Sequence, residues 1–352
     1  MADLLRPRAA VEQMAPYSPP TSGREGKLRL DFNENTVGCS PRVIEFLLEK
    51  LNAEALTIYP EYEATRAALA AHFQVPEAAF LLTNGTDEAI QVLVNTFVDD
   101  GDEVIILHPS YAMYRFYSEL AGARITMIGY HPADLSFPTQ ELLAAISPST
   151  RAILISNPNN PTGTAAGVGP IVQILDQAPH AAVLLDEAYY EFCGITGLRL
   201  IEQYPNLFVS RTFSKAYGMA ALRVGCLFSQ PDNIRFAHKA QSPYSVNLLA
   251  AIAVRAAVED TAYLNHYVQQ SLEARDHLVQ GFAARGIHAF PSQANFVLFR
   301  AGDRAIPVRD ALRRRGVLVR DRSYEIPGCV RVTAGTPEQV RRFFAALDEV
   351  WR

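Results

Sequence analysis

The chain has only four cysteines, Cys39, Cys193, Cys226 and Cys329, and no two of them form a CxxC pair. Such a scatter indicates neither a disulfide framework nor a cysteine-rich zinc site. The eight histidines contain no HExxH and no i, i+4 pair, so the usual helical zinc ligands are missing too. No apolar run approaches the roughly 20 residues that a bilayer crossing requires, which excludes a membrane span. The opening residues, with Asp3 among them and no unbroken apolar stretch, do not read as a secretory leader, and cytoplasmic residence is expected. Basic blocks are scarce as well. Arg313, Arg314 and Arg315 form the one notable cluster, on what reads as the solvated face of an amphipathic helix, and the net charge is −5. Nucleic acid is therefore not an expected partner. No G-x-G-x-x-G follows the first strand, which argues against a dinucleotide-binding site.

What the chain does have is length and alternation. Its 352 residues exceed the size at which a single core keeps growing, so a large domain with a smaller one attached is expected. Short apolar, β-rich runs at 79–83, 103–107, 124–128, 151–156, 182–186, 207–210 and 224–228 alternate with helical stretches such as 87–98, 110–121, 139–146 and 168–178. The pattern predicts an α/β fold: a three-layer, mostly parallel seven-stranded sheet. Residues 249–286 read as one long helix or a kinked pair. Beyond them, strands in 289–300, 316–321 and 329–335 and helices over 307–315 and 337–351 predict a smaller α+β domain. The segment up to about residue 45, with Pro16, Pro19, Pro20, Gly23 and Gly26, reads as an irregular arm without a core of its own. The division expected is 1–45 for the arm and the start of the small domain, 46–248 for the large domain, and 249–352 for the connecting helix and the small domain.

Ligands of open α/β sheets bind beyond the carboxyl ends of the strands, and there the chemistry concentrates. Asn84-Gly85-Thr86-Asp87 turns into a helix whose free N–H groups and positive dipole end suit a phosphate. The loop 156–163, SNPNNPTG, stiffens two asparagine amides between prolines, so that one can be aimed at an oxygen. Asp186 ends a buried strand, where a carboxylate requires a cation or donors to meet it. Arg211-Thr212-Phe213-Ser214-Lys215, with Arg223 further on, offers an amine, two hydroxyls and a guanidinium fork suited to a phosphate. Tyr111 adds an aromatic face. An amine for an aldehyde, a carboxylate for a ring nitrogen, donors for a ring oxygen and an anion cradle are together what pyridoxal phosphate (PLP) needs.

The same residues carry a resemblance. The ordered motifs APY (15–17), LDFNEN (30–35), IYPEY (58–62), NGTDEAI (84–90), PSYAMY (109–114), NPNNPTG (157–163), LLDEAYYEF (184–192), RTFSKAYGMAALRVG (211–225), PYSVN (243–247), VLVRDRS (317–323) and CVRVTAG (329–335) resemble those of the fold-type-I PLP aminotransferases. Within them the chain is similar to the branch acting on histidinol phosphate. The resemblance implies that Lys215 holds PLP as a Schiff base and that Asp186 meets the ring nitrogen. Asn160 and Tyr189 would bond the ring oxygen, with Tyr111 stacked on the ring. Gly85, Thr86, Asp87, Thr212, Ser214 and Arg223 would surround the cofactor phosphate. Tyr59 corresponds to a tyrosine reaching the neighbouring subunit's cofactor, which implies a homodimer. Arg331 would grip a carboxylate, and Tyr17, Asn33 and Arg320 would face the substrate. Ping-pong transfer between L-histidinol phosphate and a keto acid, 2-oxoglutarate, follows as the expected reaction. An aromatic amino acid aminotransferase and a PLP-dependent decarboxylase of a phospho-amino acid stand as alternatives.

Overall fold

The computed structural model describes residues 5–16 and 22–351. A short helix, α1 (Ala9–Gln13), precedes a two-residue strand, β1 (Leu28–Arg29), and the helices α2 (Pro41–Lys50) and α3 (Glu63–Phe73). Alternation then sets in: β2 (Phe80–Thr83), α4 (Gly85–Phe97), β3 (Glu103–His108), α5 (Ala112–Ala121), β4 (Arg124–Gly129), α6 (Thr139–Ala145), β5 (Thr150–Ser156), α7 (Val168–Gln177), β6 (Ala182–Asp186), β7 (Leu207–Thr212) and β8 (Gly225–Phe228). The seven strands expected from the sequence lie in one sheet ordered β2-β8-β7-β6-β5-β3-β4. Only β8 runs antiparallel to its neighbours in that sheet.

Both faces of the sheet are covered, which is why its central strands are almost continuously apolar. Alternation sends Val104, Leu154, Leu184 and Phe208 to one side, against α4, α5 and α8 (Pro231–Lys239). Ile105, Ile153, Leu185 and Val209 go to the other side, with residues of α3, α6, α7 and α9 (Leu248–Glu259).

The stretch 249–286 is a pair of helices, α9 and α10 (Thr261–Ala283), divided at Asp260. The Asp260 carboxylate accepts the Tyr263 N–H and so starts α10 afresh. The remaining elements are β9 (Phe296–Arg300), α11 (Ala305–Arg314), β10 (Val317–Leu318), β11 (Arg320–Asp321), β12 (Cys329–Thr333) and α12 (Pro337–Val350). They close a second core in which Phe282, Val297, Phe299, Leu312 and Phe343 meet.

Three expectations need correction. The single strand read at 316–321 is two, because β10 pairs in parallel with β1 whereas β11 pairs antiparallel with β12. The arm has no core of its own but enters the second one, where Leu28 and Leu30 are buried and β1 pairs with β10. A boundary at residue 45 falls inside α2, and α9 contributes Ala250 and Val254 to the main core rather than serving only as a connection. Among the described residues no helix is long and apolar enough to cross a membrane.

Candidate active site

The carboxyl ends of the sheet strands open on a cavity of about 630 Å³, with the β11–β12 hairpin as its opposite wall. On the sheet side, Asp186 is only 2% exposed. Its Oδ1 accepts the Ser210 hydroxyl at 2.8 Å and its Oδ2 the Tyr114 hydroxyl at 2.7 Å. Ser210 is its register partner on β7, and Tyr114 belongs to the first turn of α5. No lysine or arginine pairs with Asp186 among the described residues. Burial accordingly pushes its carboxyl up to about 6, and the two hydroxyls offset this only in part.

Lys215 follows β7 and donates from Nζ to the Phe32 carbonyl at 3.0 Å, with the Tyr189 ring centroid 5.8 Å away. Arg223, in the left-handed region at φ 57°, donates to Ser214 Oγ at 3.4 Å and the Ala220 carbonyl at 3.2 Å. Its Nη2 pairs with Asp87 at 3.2 Å, and Asp87 also accepts the Tyr111 hydroxyl at 2.7 Å. Gly85 does not line the cavity, but it makes this approach possible. A Cβ there would lie 2.7 Å from Arg223 Nη2, and φ is +74°. Thr86, Thr212 and Ser214 complete this end, where the N-terminus of α4, two hydroxyls and a guanidinium face one volume.

The opposite wall joins two segments that lie 300 residues apart in the chain. Arg331, on β12, donates from Nη1 to Asn160 Oδ1 and from Nη2 to the Asp31 carbonyl at 2.7 Å. It is buried and has no carboxylate partner among the described residues, and burial beside Arg322 and Arg320 brings it down to about 10. Asn33, at φ 55°, donates from Nδ2 to the Tyr189 hydroxyl at 3.0 Å. Thr333 and Asn295 fasten Asn33 from the second core, through its N–H and Oδ1 in one case and its carbonyl in the other. Arg320 carries its guanidinium over the Phe32 ring at 5.3 Å.

The cavity thus brings together Asn33, Thr86, Asp87, Tyr111, Asn160, Asp186, Tyr189, Thr212, Ser214, Lys215, Arg223, Arg320 and Arg331. Tyr59 stands apart: it is 71% exposed and stacks on Tyr244 with ring centroids 4.3 Å apart. Tyr17 lies outside the described residues. Sequence reading overlooked Arg24 and Glu34, whose ion pair at 2.6 Å joins the arm to the cavity wall, and Arg322, Tyr324 and Glu325 on the hairpin. The last three sit between two arginines that were singled out, and their density of polar side chains was the available signal.

The side of β6 and β7 away from Asp186 is wired differently. Glu187 is fully buried, accepts Arg211 Nε at 2.7 Å, and also accepts the Thr196 hydroxyl at 2.8 Å and the Gly197 N–H at 2.6 Å. The Arg211 guanidinium lies 3.5 Å over the Tyr190 ring.

The aminotransferase class I and II family matches residues 25–347. A histidinol-phosphate aminotransferase of Symbiobacterium thermophilum is 38% identical, with 97% of each chain covered. That of Bacillus subtilis is 33% identical over 98% of this chain and 100% of its own. Among solved structures, histidinol-phosphate aminotransferase from Sinorhizobium meliloti, in complex with pyridoxal-5'-phosphate, superposes with a TM-score of 0.90 at 24% identity, covering 99% of this chain and 98% of that one.

Proposed function

The chain belongs to the class I and II aminotransferases, and from that premise we propose that it is a PLP enzyme passing an amino group between L-histidinol phosphate and 2-oxoglutarate. The observation that carries the reading is a pair of charges in one cavity without an ion-pair partner among the described residues: a buried carboxylate, Asp186, held by two hydroxyls, and an amine, Lys215, held by a carbonyl and near the Tyr189 ring. A ring bearing a protonated nitrogen and an aldehyde satisfies both, and the cradle formed by Thr86, Thr212, Ser214 and Arg223 suits its phosphate.

In this reading Lys215 attaches the cofactor, and Asp186 keeps the ring nitrogen protonated. Asn160 and Tyr189 donate to the ring oxygen, while Tyr111 packs on the ring. Gly85, Thr86, Asp87, Thr212, Ser214 and Arg223 surround the phosphate. PLP, when bound, supplies an aldehyde and a conjugated ring that draws off the electron pair released at the substrate Cα. The Lys215 amine, when free of the cofactor, would move the proton at the substrate Cα. Asn33 donates to the Tyr189 hydroxyl and so leaves that hydroxyl's own proton for the ring oxygen. Arg331 and Arg320 receive the anionic group of either substrate. The seven-stranded sheet with its flanking helices, α2 and α9 included, forms the cofactor-binding domain, and the second core, which β1 of the arm joins, forms the small domain that brings the arginines.

A homodimer belongs to the same proposal. Ile44, Leu48, Leu56, Ile58 and Tyr59 are all half or more exposed along α2 and the segment after it, an apolar row that a second copy would cover. Cytoplasmic residence, in histidine biosynthesis, is supported by four free cysteines.

The test has two stages. Purified protein should carry a yellow chromophore that borohydride fixes to the chain, and Lys215→Ala should lose the fixation. Steady-state rates with 2-oxoglutarate should then favour L-histidinol phosphate over L-phenylalanine. Preference for phenylalanine, or release of carbon dioxide without any need for a keto acid, would overturn the substrate assignment.

A further inference from the structure

The β11–β12 hairpin carries more positive charge than the reaction so far uses. Arg320 and Arg331 are register partners across the hairpin, so their side chains leave the same face. Arg322 lies two residues beyond Arg320, and its N–H bonds the Cys329 carbonyl, which continues the pairing and returns its side chain to that face. All three guanidiniums line the cavity.

Against three cations the hairpin supplies one carboxylate within ion-pairing distance, Glu325, which pairs with Arg322 Nη2. Arg331 is held by neutral oxygens and Arg320 by the face of Phe32. The group therefore keeps a surplus of two positive charges at a nearly buried wall. Arg322 is itself poised: its side chain is 10% exposed, Nη1 donates to the Tyr324 hydroxyl at 2.8 Å, and Nε is buried without a hydrogen-bond partner. Arg331 Nε is unmet in the same way, so two of the three cations beside the cavity are held short of their full hydrogen bonding.

Resting on the aminotransferase reading above, we infer that Arg322, held by Glu325 and Tyr324, is a third anion-binding arginine that recognises the second negative charge of a phosphate. A carboxylate carries one charge and is met by Arg331 with Arg320. A phosphate monoester dianion brings a further charge and a third oxygen, which match the remaining guanidinium. Glu325 then acts as a positioning residue that also lowers the surplus charge in the absence of a dianion. Two substrates whose charge is distributed differently, over two separate carboxylates in glutamate and on one phosphate in histidinol phosphate, can share one pocket in this way.

The experiment uses the intact holoenzyme at about pH 8, where a phosphate monoester is fully ionised. Single-turnover half-reactions are followed by the cofactor spectrum with L-histidinol phosphate and, separately, with L-glutamate. Inorganic phosphate is tested as a competitor of the glutamate reaction. Arg322→Gln should raise the apparent Kd for histidinol phosphate and the inhibition constant for phosphate by about 10- to 100-fold, the loss expected for a charged hydrogen bond. The apparent Kd for glutamate should move by less than about threefold, since Arg331 is untouched. Arg322→Lys, which keeps charge and loses the fork, should fall between. Glu325→Gln should tighten phosphate and histidinol phosphate severalfold.

Equal weakening of both donors, or no change in phosphate competition, overturns the inference. The two proposals fail separately. If histidinol phosphate is a donor yet Arg322→Gln leaves its Kd alone, the reaction stands and the third arginine falls. If phosphate competes through Arg322 while histidinol phosphate is not a donor, the anion subsite stands and the substrate assignment falls.

Discussion

Asp186 and Glu187 are neighbours in the chain, equally buried, and face opposite sides of the sheet, yet the protein treats their charges in opposite ways. Glu187 is given a guanidinium, a hydroxyl and a backbone N–H, which is how a buried charge is normally neutralised. Asp186 is given two hydroxyls and no cation. The protein can evidently supply an arginine at this depth, because it does so one residue later. Its lack of one among the described residues supports the proposal that the counter-ion of Asp186 comes from a ligand.

The comparison is broken most severely on the Asp186 side. Asp186→Asn should retain the fold and lower kcat by about 10³-fold, the loss typical of one preorganised electrostatic partner. Rapid-quench measurement of Cα-proton exchange locates the deficit, and an unchanged exchange rate would refute the role. Glu187→Gln should behave in reverse. It leaves Arg211 with the longer Glu191 pairing at 4.0 Å and should cost about 1–3 kcal/mol of unfolding free energy, with smaller effect on turnover per folded molecule. Urea melts alongside active-site titration check both halves.

A pH series sharpens the same contrast. In cofactor-free protein Asp186 has its pKa raised from the model-peptide range to about 6, so the folded state favours the protonated carboxyl. The stability this group contributes is complete below pH 4, is lost as pH rises through about 6, and amounts to roughly 1–3 kcal/mol. Cofactor binding supplies the missing cation and should flatten that segment of the curve. Denaturation midpoints between about pH 4 and 7, with and without PLP, decide it, and parallel curves would count against the pairing.

Much of this was legible in advance because it is local. Each apolar run ended in a residue with evident chemistry, and the strand register set those ends side by side, as with Asp186 and Ser210. Lys215 and Arg223 followed from their own short stretch. What escaped was either non-local or divided. The Asn160–Arg331 and Asn33–Tyr189 contacts depend on how the second core settles against the first, which no periodicity encodes, and the Arg24–Glu34 pair lies within an irregular arm whose turns follow no period. The run at 316–321 reads as one strand because its apolar pattern is unbroken, whereas its two halves answer to different partners. The division of α9 from α10 was open to a closer reading, since Asp260-Thr261 is a helix start placed inside a helical pattern.

That division has a mechanical side. α10 puts Tyr267 into the main core and Leu278 and Phe282 into the second, so one rod is fixed in both bodies. Its 23 residues make a lever of roughly 35 Å, and a pivot of about 10° at Asp260 would carry the far end some 6 Å. Such a pivot would drag Tyr267 through the main core, so the rod resists it and ties the wall that carries Arg331 to the sheet that carries Lys215.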